Sequence, residues 1–190
     1  AVGHYLEKHY HFKADHVIYG GVHLPKTNYQ KKDLLLYVGR LDYDTGLPLL
    51  LQSLKNKPWL GEVVFCGDGV LKDQAGLYGQ VVGFKNPLPY LKKAKVVFAG
   101  GYLSILEAFA YRCLVVAAYN NPLKRDYFSL SPLGRFVQVV SNDQELTMKL
   151  NFLAKKNNFN QSKLDQAYSL AKEQSWVRVA DLYQQIYQQL

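Results

Sequence analysis

Residues 95–117, Lys-Val-Val-Phe-Ala-Gly-Gly-Tyr-Leu-Ser-Ile-Leu-Glu-Ala-Phe-Ala-Tyr-Arg-Cys-Leu-Val-Val-Ala, constrain the fold of this chain more than any other stretch. They predict a buried strand, a glycine turn, an amphipathic helix and a second buried strand. Residues 96–99 have no polar member, as a parallel strand covered on both faces requires. Gly100 and Gly101 let the chain turn and leave backbone N–H groups bare at the start of the following helix, a place suited to phosphate. Ser104 and Glu107 stand three residues apart and so share a helix face. That face offers a hydroxyl to a phosphate oxygen and a carboxylate to a pair of sugar hydroxyls, which together suit a nucleoside diphosphate. An acid in the N-terminal half of a helix is also favoured by the helix dipole alone, and these residues by themselves leave both readings open.

The pattern repeats along the chain. Apolar runs predict strands over 33–39, 62–67, 80–84, 95–99, 113–118 and 135–140. Helical segments fall between them: 47–54 with Pro48 in its first turn, a short helix from about 70, and another over 88–94. The turn at 121–127 enters a further helix, and one after the capping candidates of 141–145 carries Leu146, Leu150 and Leu153 on one face. The end from 162 to 190 is helical, in two pieces breaking near Ser175. Strands alternating with helices across short connections predict an α/β fold, a Rossmann-like, doubly wound parallel sheet. In such sheets ligands bind outside the carboxyl ends of the strands. Gly39, Gly67, Gly83 and the Gly100/Gly101 pair all follow strands and so line that edge. The Pro-, Asn- and Lys-containing stretch 24–32 is the natural linker, dividing a short piece (1–24) from the main domain (25–174), with a closing helix over 175–190.

At 190 residues the chain can bury a core without disulfide or metal staples. Cys66 and Cys113 lie inside apolar runs and are expected to be buried free thiols, as in a reducing cytoplasm. No run reaches the roughly 20 apolar residues of a membrane span, and no secretory signal is present. The first residues read as a helix already under way, with no initiator Met, which points to a piece of a longer protein. The net charge of +8 admits a nucleic acid, an anionic membrane or a phosphorylated small molecule as partner. The lysines come in scattered pairs (Lys31/Lys32, Lys92/Lys93, Lys155/Lys156) with no basic stripe interleaved with aromatics, which disfavours nucleic acid.

Other nucleotide and hydrolase signatures fail. There is no Gly-Lys-Ser/Thr, hence no P-loop. Gly67-Asp68-Gly69 opens like a dinucleotide fingerprint, but Lys72 occupies the place of the third glycine, and a tight strand-to-helix turn accounts for both glycines. His4, His9, His11, His16 and His23 crowd the first 23 residues without a standard zinc spacing or other ligands, so no metal is expected. No Gly-x-Ser-x-Gly elbow supports a serine nucleophile.

Taken in order, Val38-Gly39-Arg40-Leu41, Gly67-Asp68-Gly69, Val82-Gly83-Phe84 and the segment from Ala99 to Glu107 resemble the C-terminal, donor-binding domain of group 1 glycosyltransferases of the GT-B fold. Residues 5–22 resemble the end of the family's N-terminal domain and its crossover segment, and Ser175-Trp176 and the residues after them resemble its closing helix. The resemblance implies a hexosyltransferase using a nucleoside-diphosphate sugar, with no further cofactor, in polysaccharide or glycolipid biosynthesis. It assigns donor binding to Gly39, Arg40, Gly83, Phe84, Gly101, Tyr102, Leu103, Ser104 and Glu107. Arg40, Ser104 and the amides of Tyr102 and Leu103 would hold phosphate, Glu107 the ribose, and Gly83-Phe84 the base. The acceptor site and any catalytic base would belong to an N-terminal domain outside this chain, so that the chain alone would bind without turnover. Two positions depart from the family. Thr45 stands for a lysine that joins the arginine on the diphosphate, and Ala99 for the first acid of the Glu-x7-Glu motif. These losses leave a second reading, a non-catalytic nucleotide-binding or regulatory domain. The implied location is cytoplasmic, with an anionic membrane face as a further candidate partner. An apolar stripe of Trp176, Val179, Leu182, Tyr183, Ile186 and Tyr187, with Tyr5, Leu6, Tyr10 and Phe12, is expected to be only partly covered.

Overall fold

The computed structural model describes residues 2–16, 18–119, 121–155 and 160–189. Lys156, Leu190 and the Tyr5 side chain, named above, lie outside the described residues. In chain order the elements are α1 (Val2–Tyr10), β1 (Lys32–Val38), α2 (Leu47–Asn56), β2 (Glu62–Cys66), α3 (Lys72–Gly76), β3 (Gln80–Gly83), α4 (Leu88–Leu91), β4 (Ala94–Ala99), α5 (Tyr102–Ala110), β5 (Leu114–Ala118), α6 (Pro122–Ser129), β6 (Val137–Val140), α7 (Asp143–Ala154), α8 (Gln161–Glu173) and α9 (Trp176–Tyr187). Single 3-10 turns occupy Tyr43–Thr45 and Pro132–Arg135.

The six strands form one sheet in the order β3-β2-β1-β4-β5-β6, and every pairing is parallel. Strand alternation divides the core in two. Leu34, Leu36, Val64, Val97, Ala99, Val115 and Ala117 face α5, the end of α6 and the small residues of α8. Leu35, Tyr37, Phe65, Val96, Phe98, Val116 and Ala118 face α2 and α7. Both faces are apolar because both are covered, which is why these strands read as continuous hydrophobic runs. Leu146, Leu150 and Leu153 of α7 are buried as their spacing requires. Asn142 caps that helix, while the Glu145 carboxylate accepts from the Ser141 amide and hydroxyl at 2.8 and 3.0 Å. Ser175 is the N-cap of α9, at the predicted break.

Several boundaries shift for local reasons. The strand expected over 135–140 begins only at Val137, because Pro132 starts a 3-10 turn that runs through Arg135. The strand expected to reach Phe84 stops at Gly83, whose φ of 72° turns the chain away from the sheet. The strand expected from Cys113 begins at Leu114, after Arg112 at φ 53°. The short helices begin at Lys72 and end at Leu91.

The last residues before the linker pack on the main domain. Val22 is buried in the core, its amide donates to the Gln174 carbonyl at 2.9 Å, and its carbonyl accepts from Trp176 N at 3.3 Å. A boundary at 24 therefore does not mark a gap in packing. On α9, Val179 is buried while Trp176, Tyr183 and Tyr187 are exposed, as are Tyr10 and Phe12 near α1. Cys66 and Cys113 are buried and free. Burial raises both thiol pKa values, leaving protonated packing groups. Among the described residues no helix is long and apolar enough to cross a membrane.

At the carboxyl edge the loops after β1 and β2 are stitched together by backbone alone. Leu41 N donates to Asp68 O and Leu71 N to Leu41 O, both at 2.9 Å. This approach requires glycine: a Cβ on Gly67 would stand 1.8 Å from the Gly39 carbonyl oxygen, and one on Gly69 2.4 Å from that of Leu41. The two glycines thus serve contact between loops as well as the turn itself. Gly67→Ala is expected to cost about 1–3 kcal/mol in urea unfolding, the range for forced overpacking. Gly76→Ala, with open space around the added methyl, is expected to stabilise by roughly 0.4–1 kcal/mol. Equal effects would refute the close-approach account.

Candidate functional site

With the strand order 3-2-1-4-5-6, the connections diverge at β1 and β4, so a crevice opens between their carboxyl ends. A cavity of about 350 Å³ occupies it. Its walls are the end of β1 with Gly39 and Arg40, the 3-10 turn at Asp44 and Thr45, Gly100 and Gly101 after β4, Ser104 on α5, and Lys124 on α6. A larger, shallower cleft of about 660 Å³ lies between Pro132–Arg135 and α8. It sits away from the carboxyl edge, and its one cation, Arg135, shares the lining with Asp165 and Glu173.

Tyr37 sets the shape of the β1 loop. Its ring is buried against Phe98 and Phe65, and its hydroxyl lies 2.6 Å from the Arg40 carbonyl oxygen and 2.8 Å from Thr45 Oγ1. Burial pushes this phenol up to about 12, so it keeps its proton. Thr45 in turn donates to the Asp42 carbonyl at 2.6 Å. Asp42 caps the 3-10 turn by accepting from the Tyr43 amide at 2.7 Å. Its carboxylate also reaches Arg40 at 3.3 Å, and Asp44 meets the same guanidinium at 2.7 Å. The expected phosphate-binding arginine is thus held between two acids. All three side chains are solvent-exposed to a third or more, so the pairs are worth little and an incoming anion can displace them.

Gly101 is the N-cap of α5, and no side chain caps that helix. Ser104 Oγ donates to the Gly101 carbonyl at 3.0 Å and must rotate before it can donate to a ligand. The Tyr102 amide faces the Tyr127 phenol, whose pKa it lowers against a larger effect of burial. The Tyr102 ring stacks on Tyr19 with centroids 5.6 Å apart. Leu103 packs under the crossover segment, where a Cβ on Gly20 would fall 2.6 Å from its side chain. Neither side chain lines the cavity, and with the Tyr102 amide turned to Tyr127, against the phosphate role expected of it, only the Leu103 amide of the two remains free to serve a ligand.

The remaining residues assigned from sequence lie to one side. Gly83 ends β3 and Phe84 follows it, two strands from β1 and so roughly 10 Å across the sheet, with Phe84 exposed. Glu107 lies one turn further along α5, half-buried. Among the described residues no donor reaches its carboxylate, and burial raises its pKa against the opposing influence of His23. Lys124 was not singled out by the sequence; the only signal was its place in the first turn of a helix following a strand end. Among the described residues no cluster of three or more His, Cys, Asp or Glu could hold a metal ion.

No protein-family model matches the chain. It is 27% identical to the Campylobacter jejuni N-acetylgalactosamine-N,N'-diacetylbacillosaminyl-diphospho-undecaprenol 4-alpha-N-acetylgalactosaminyltransferase, over 79% of this chain and 45% of that protein. Among solved structures, Anabaena HepE in complex with UDP-glucose superposes with a TM-score of 0.70 at 17% identity, covering 92% of this chain and 57% of the other. A variant of S. aureus TarM in complex with UDP, fondaparinux and a GlcNAc-glycerol gives a TM-score of 0.69 at 16% identity, covering 96% and 41%. The fold is one half of the GT-B glycosyltransferase architecture. The chain spans about half the length of the proteins it matches. Within this GT-B half, Thr45, where the family resemblance places a lysine, is committed to the Asp42 carbonyl, and Ala99, where it places an acid, is fully buried.

Glu107 has a stability consequence independent of any ligand. A carboxyl whose folded-state pKa is raised contributes stability below its ordinary value and loses it as pH rises through the raised one. Glu107→Gln is therefore expected to raise the thermal midpoint near neutral pH. The difference should close as pH falls below the ordinary carboxylate range. A neutral-pH midpoint lower in the variant would mean that the ionised carboxylate is held by favourable contacts.

Proposed function

We propose that this chain is the donor-binding half of a glycosyltransferase, holding a nucleoside-diphosphate sugar whose sugar is passed to an acceptor. The observation that carries the reading is the cavity at the β1/β4 switch point, where glycine backbone, an uncapped helix start and two cationic side chains converge. Such a site suits a diphosphate, and the chemistry needs it: as the bond from sugar to oxygen breaks, negative charge develops on the leaving diphosphate and fixed donors stabilise it. The Leu103 and Ser104 amides and the rotated Ser104 hydroxyl lie on one side of the cavity. Arg40, whose guanidinium fork fits phosphate oxygens, lies on the other once it leaves Asp42 and Asp44.

Glu107, unpartnered and half-buried one turn further on, would accept from the ribose hydroxyls, and the Gly83-Phe84 edge would flank the base. Among the similar solved structures, those of HepE and the TarM variant contain UDP or UDP-glucose, which favours uridine as the base. The Campylobacter relative acts on a diphospho-undecaprenol saccharide, as its name states. Together with the net charge of +8, this favours a lipid-linked acceptor reached at the cytoplasmic face of an anionic membrane.

Loss of chemistry with retention of the fold is a second reading, favoured by the Asp42 and Asp44 carboxylates around Arg40 and by buried Ala99. Nucleotide binding does not separate the two; sugar transfer or donor hydrolysis by the whole protein does. For the site itself, a thermal-shift panel of UDP-, GDP-, ADP- and dTDP-sugars is expected to single out UDP-sugars, with a ligand at 100 times its Kd adding about 2.7 kcal/mol. Glu107→Gln should weaken the best nucleotide by roughly 1.5–3 kcal/mol, the range for a hydrogen bond to a charged group. Binding should also fall as acid protonates the carboxylate. Arg40→Ala should narrow the affinity gap between nucleoside diphosphate and bare nucleoside. Unchanged affinity in the first variant would return Glu107 to a purely structural role, and equal losses for both ligands in the second would do the same for Arg40.

A further inference from the structure

We infer that Lys124, at the start of α6, is a diphosphate-binding residue of this site and supplies the positive charge that Thr45 cannot. The inference rests on the nucleoside-diphosphate reading above and adds a residue to it. Two cations line the cavity, Arg40 and Lys124. Arg40 is neutralised by two carboxylates. Lys124 forms no salt bridge among the described residues. Its ammonium donates only to the Asp44 backbone carbonyl, at 3.4 Å. Among the described residues the cavity therefore presents one cation in no direct salt bridge, with the Asp44 carboxylate nearby but paired to Arg40.

The position is built by its surroundings. Asn121 caps α6 by accepting from the Lys124 amide at 2.8 Å, which fixes the backbone from which the side chain crosses to the β1 loop. The floor beneath the ammonium is Gly100. A Cβ there would come to 3.4 Å from both Lys124 Nζ and the Thr45 carbonyl oxygen, filling the space between the two loops. Gly100 thus lies between Lys124 and the turn that carries Thr45, and even a Cβ there would meet both at ordinary contact distance. Partial burial lowers the Lys124 pKa against the pull of Asp44, a cost that an anion in the cavity would relieve.

The assignment gives the cavity a three-sided grip. The α5 amides and Ser104 approach from one wall, Lys124 from the α6 wall and Arg40 from the β1 loop. A phosphate group between them would be drawn first to Lys124, since reaching Arg40 requires displacing Asp42 and Asp44.

The test is calorimetry on the full chain with UDP, uridine and inorganic pyrophosphate, for the native protein, Lys124→Met and Lys124→Arg, with thermal midpoints recorded to confirm folding. Lys124→Met is expected to weaken UDP about 10-fold or more, to leave uridine unchanged, and to be largely restored in Lys124→Arg. UDP binding unaltered in Lys124→Met would overturn the Lys124 assignment while leaving the nucleotide site standing. Equal losses for UDP and uridine would show a structural role and likewise overturn it. If the native chain binds pyrophosphate through Lys124 but not UDP, the assignment to diphosphate stands and the uridine base falls. If the native chain binds neither UDP nor pyrophosphate, the nucleoside-diphosphate reading fails and the inference fails with it.

Discussion

β1 and β4 lie side by side and run the same way, although residues 39–93 separate them in sequence. A parallel pair cannot be closed by a tight turn, because the chain must return to the starting edge before it can run forward again. The intervening residues make that return twice, building β2 and β3 on one flank. The chain then re-enters next to β1 and builds β5 and β6 on the other. Every strand consequently ends at one edge, and the loops after β1 and β4 part company there. The cavity is the space left by that divergence. Its walls come from residues far apart in sequence, Gly39 to Thr45, Gly100 to Ser104, and Lys124.

Much of this was legible because burial on both faces removes the ambiguity of strand reading. Residues 96–99 could be solvated on neither side, and Val97 and Ala99 now face one helix layer while Val96 and Phe98 face the other. The glycine edge was legible because strands and helices alternate so regularly. The errors sit where backbone conformation overrides pattern, at Gly83, Arg112 and Pro132. In the site, sequence spacing could place Ser104 and Glu107 on one helix, and it could bring Gly39 and Gly101 to one edge through the topology. It could not show that Arg40 is paired with Asp42 and Asp44, since those contacts depend on the 3-10 turn and on Tyr37 beneath it. Nor could it find Lys124, whose relevance arises only from the adjacency of β4 and β5.

The balance of charge in the crevice bears on how a ligand would be received. Exposed ion pairs such as those of Arg40 hold a side chain in place at little energetic cost and are easily exchanged. Asp44 also faces the cavity, so a diphosphate must come close to a carboxylate unless Arg40 swings inward and screens it. Arg40 can therefore act as a movable counter-ion, with Asp42 and Asp44 holding it when the site is empty. Lys124 donates to a backbone carbonyl and not to a carboxylate, so it needs no such exchange. The two cations are electrostatically inequivalent although they line the same space.

Ala99 poses the sharper chemical question. It ends β4, pairs in register with Val38 and is fully buried in the α5-facing core. An acid built at this point would start from the buried apolar cluster on the α5 side of the sheet, where an unpaired charge is heavily penalised. The position is therefore more than an acid trimmed to a methyl on an otherwise unchanged wall; the end of β4 is packed as core. If the whole protein transfers sugar, recognition of the sugar hydroxyls must then come from groups other than residue 99. Within this half, the side chains that border the β1/β4 cavity and can hydrogen-bond are Tyr37, Arg40, Asp44, Thr45, Ser104 and Lys124. Tyr37 and Thr45 are already committed to the β1 loop, and Arg40, Ser104 and Lys124 are the groups proposed above for phosphate. That leaves Asp44 as the carboxylate able to accept from a sugar hydroxyl, a role open to it only once Arg40 has turned to the phosphates.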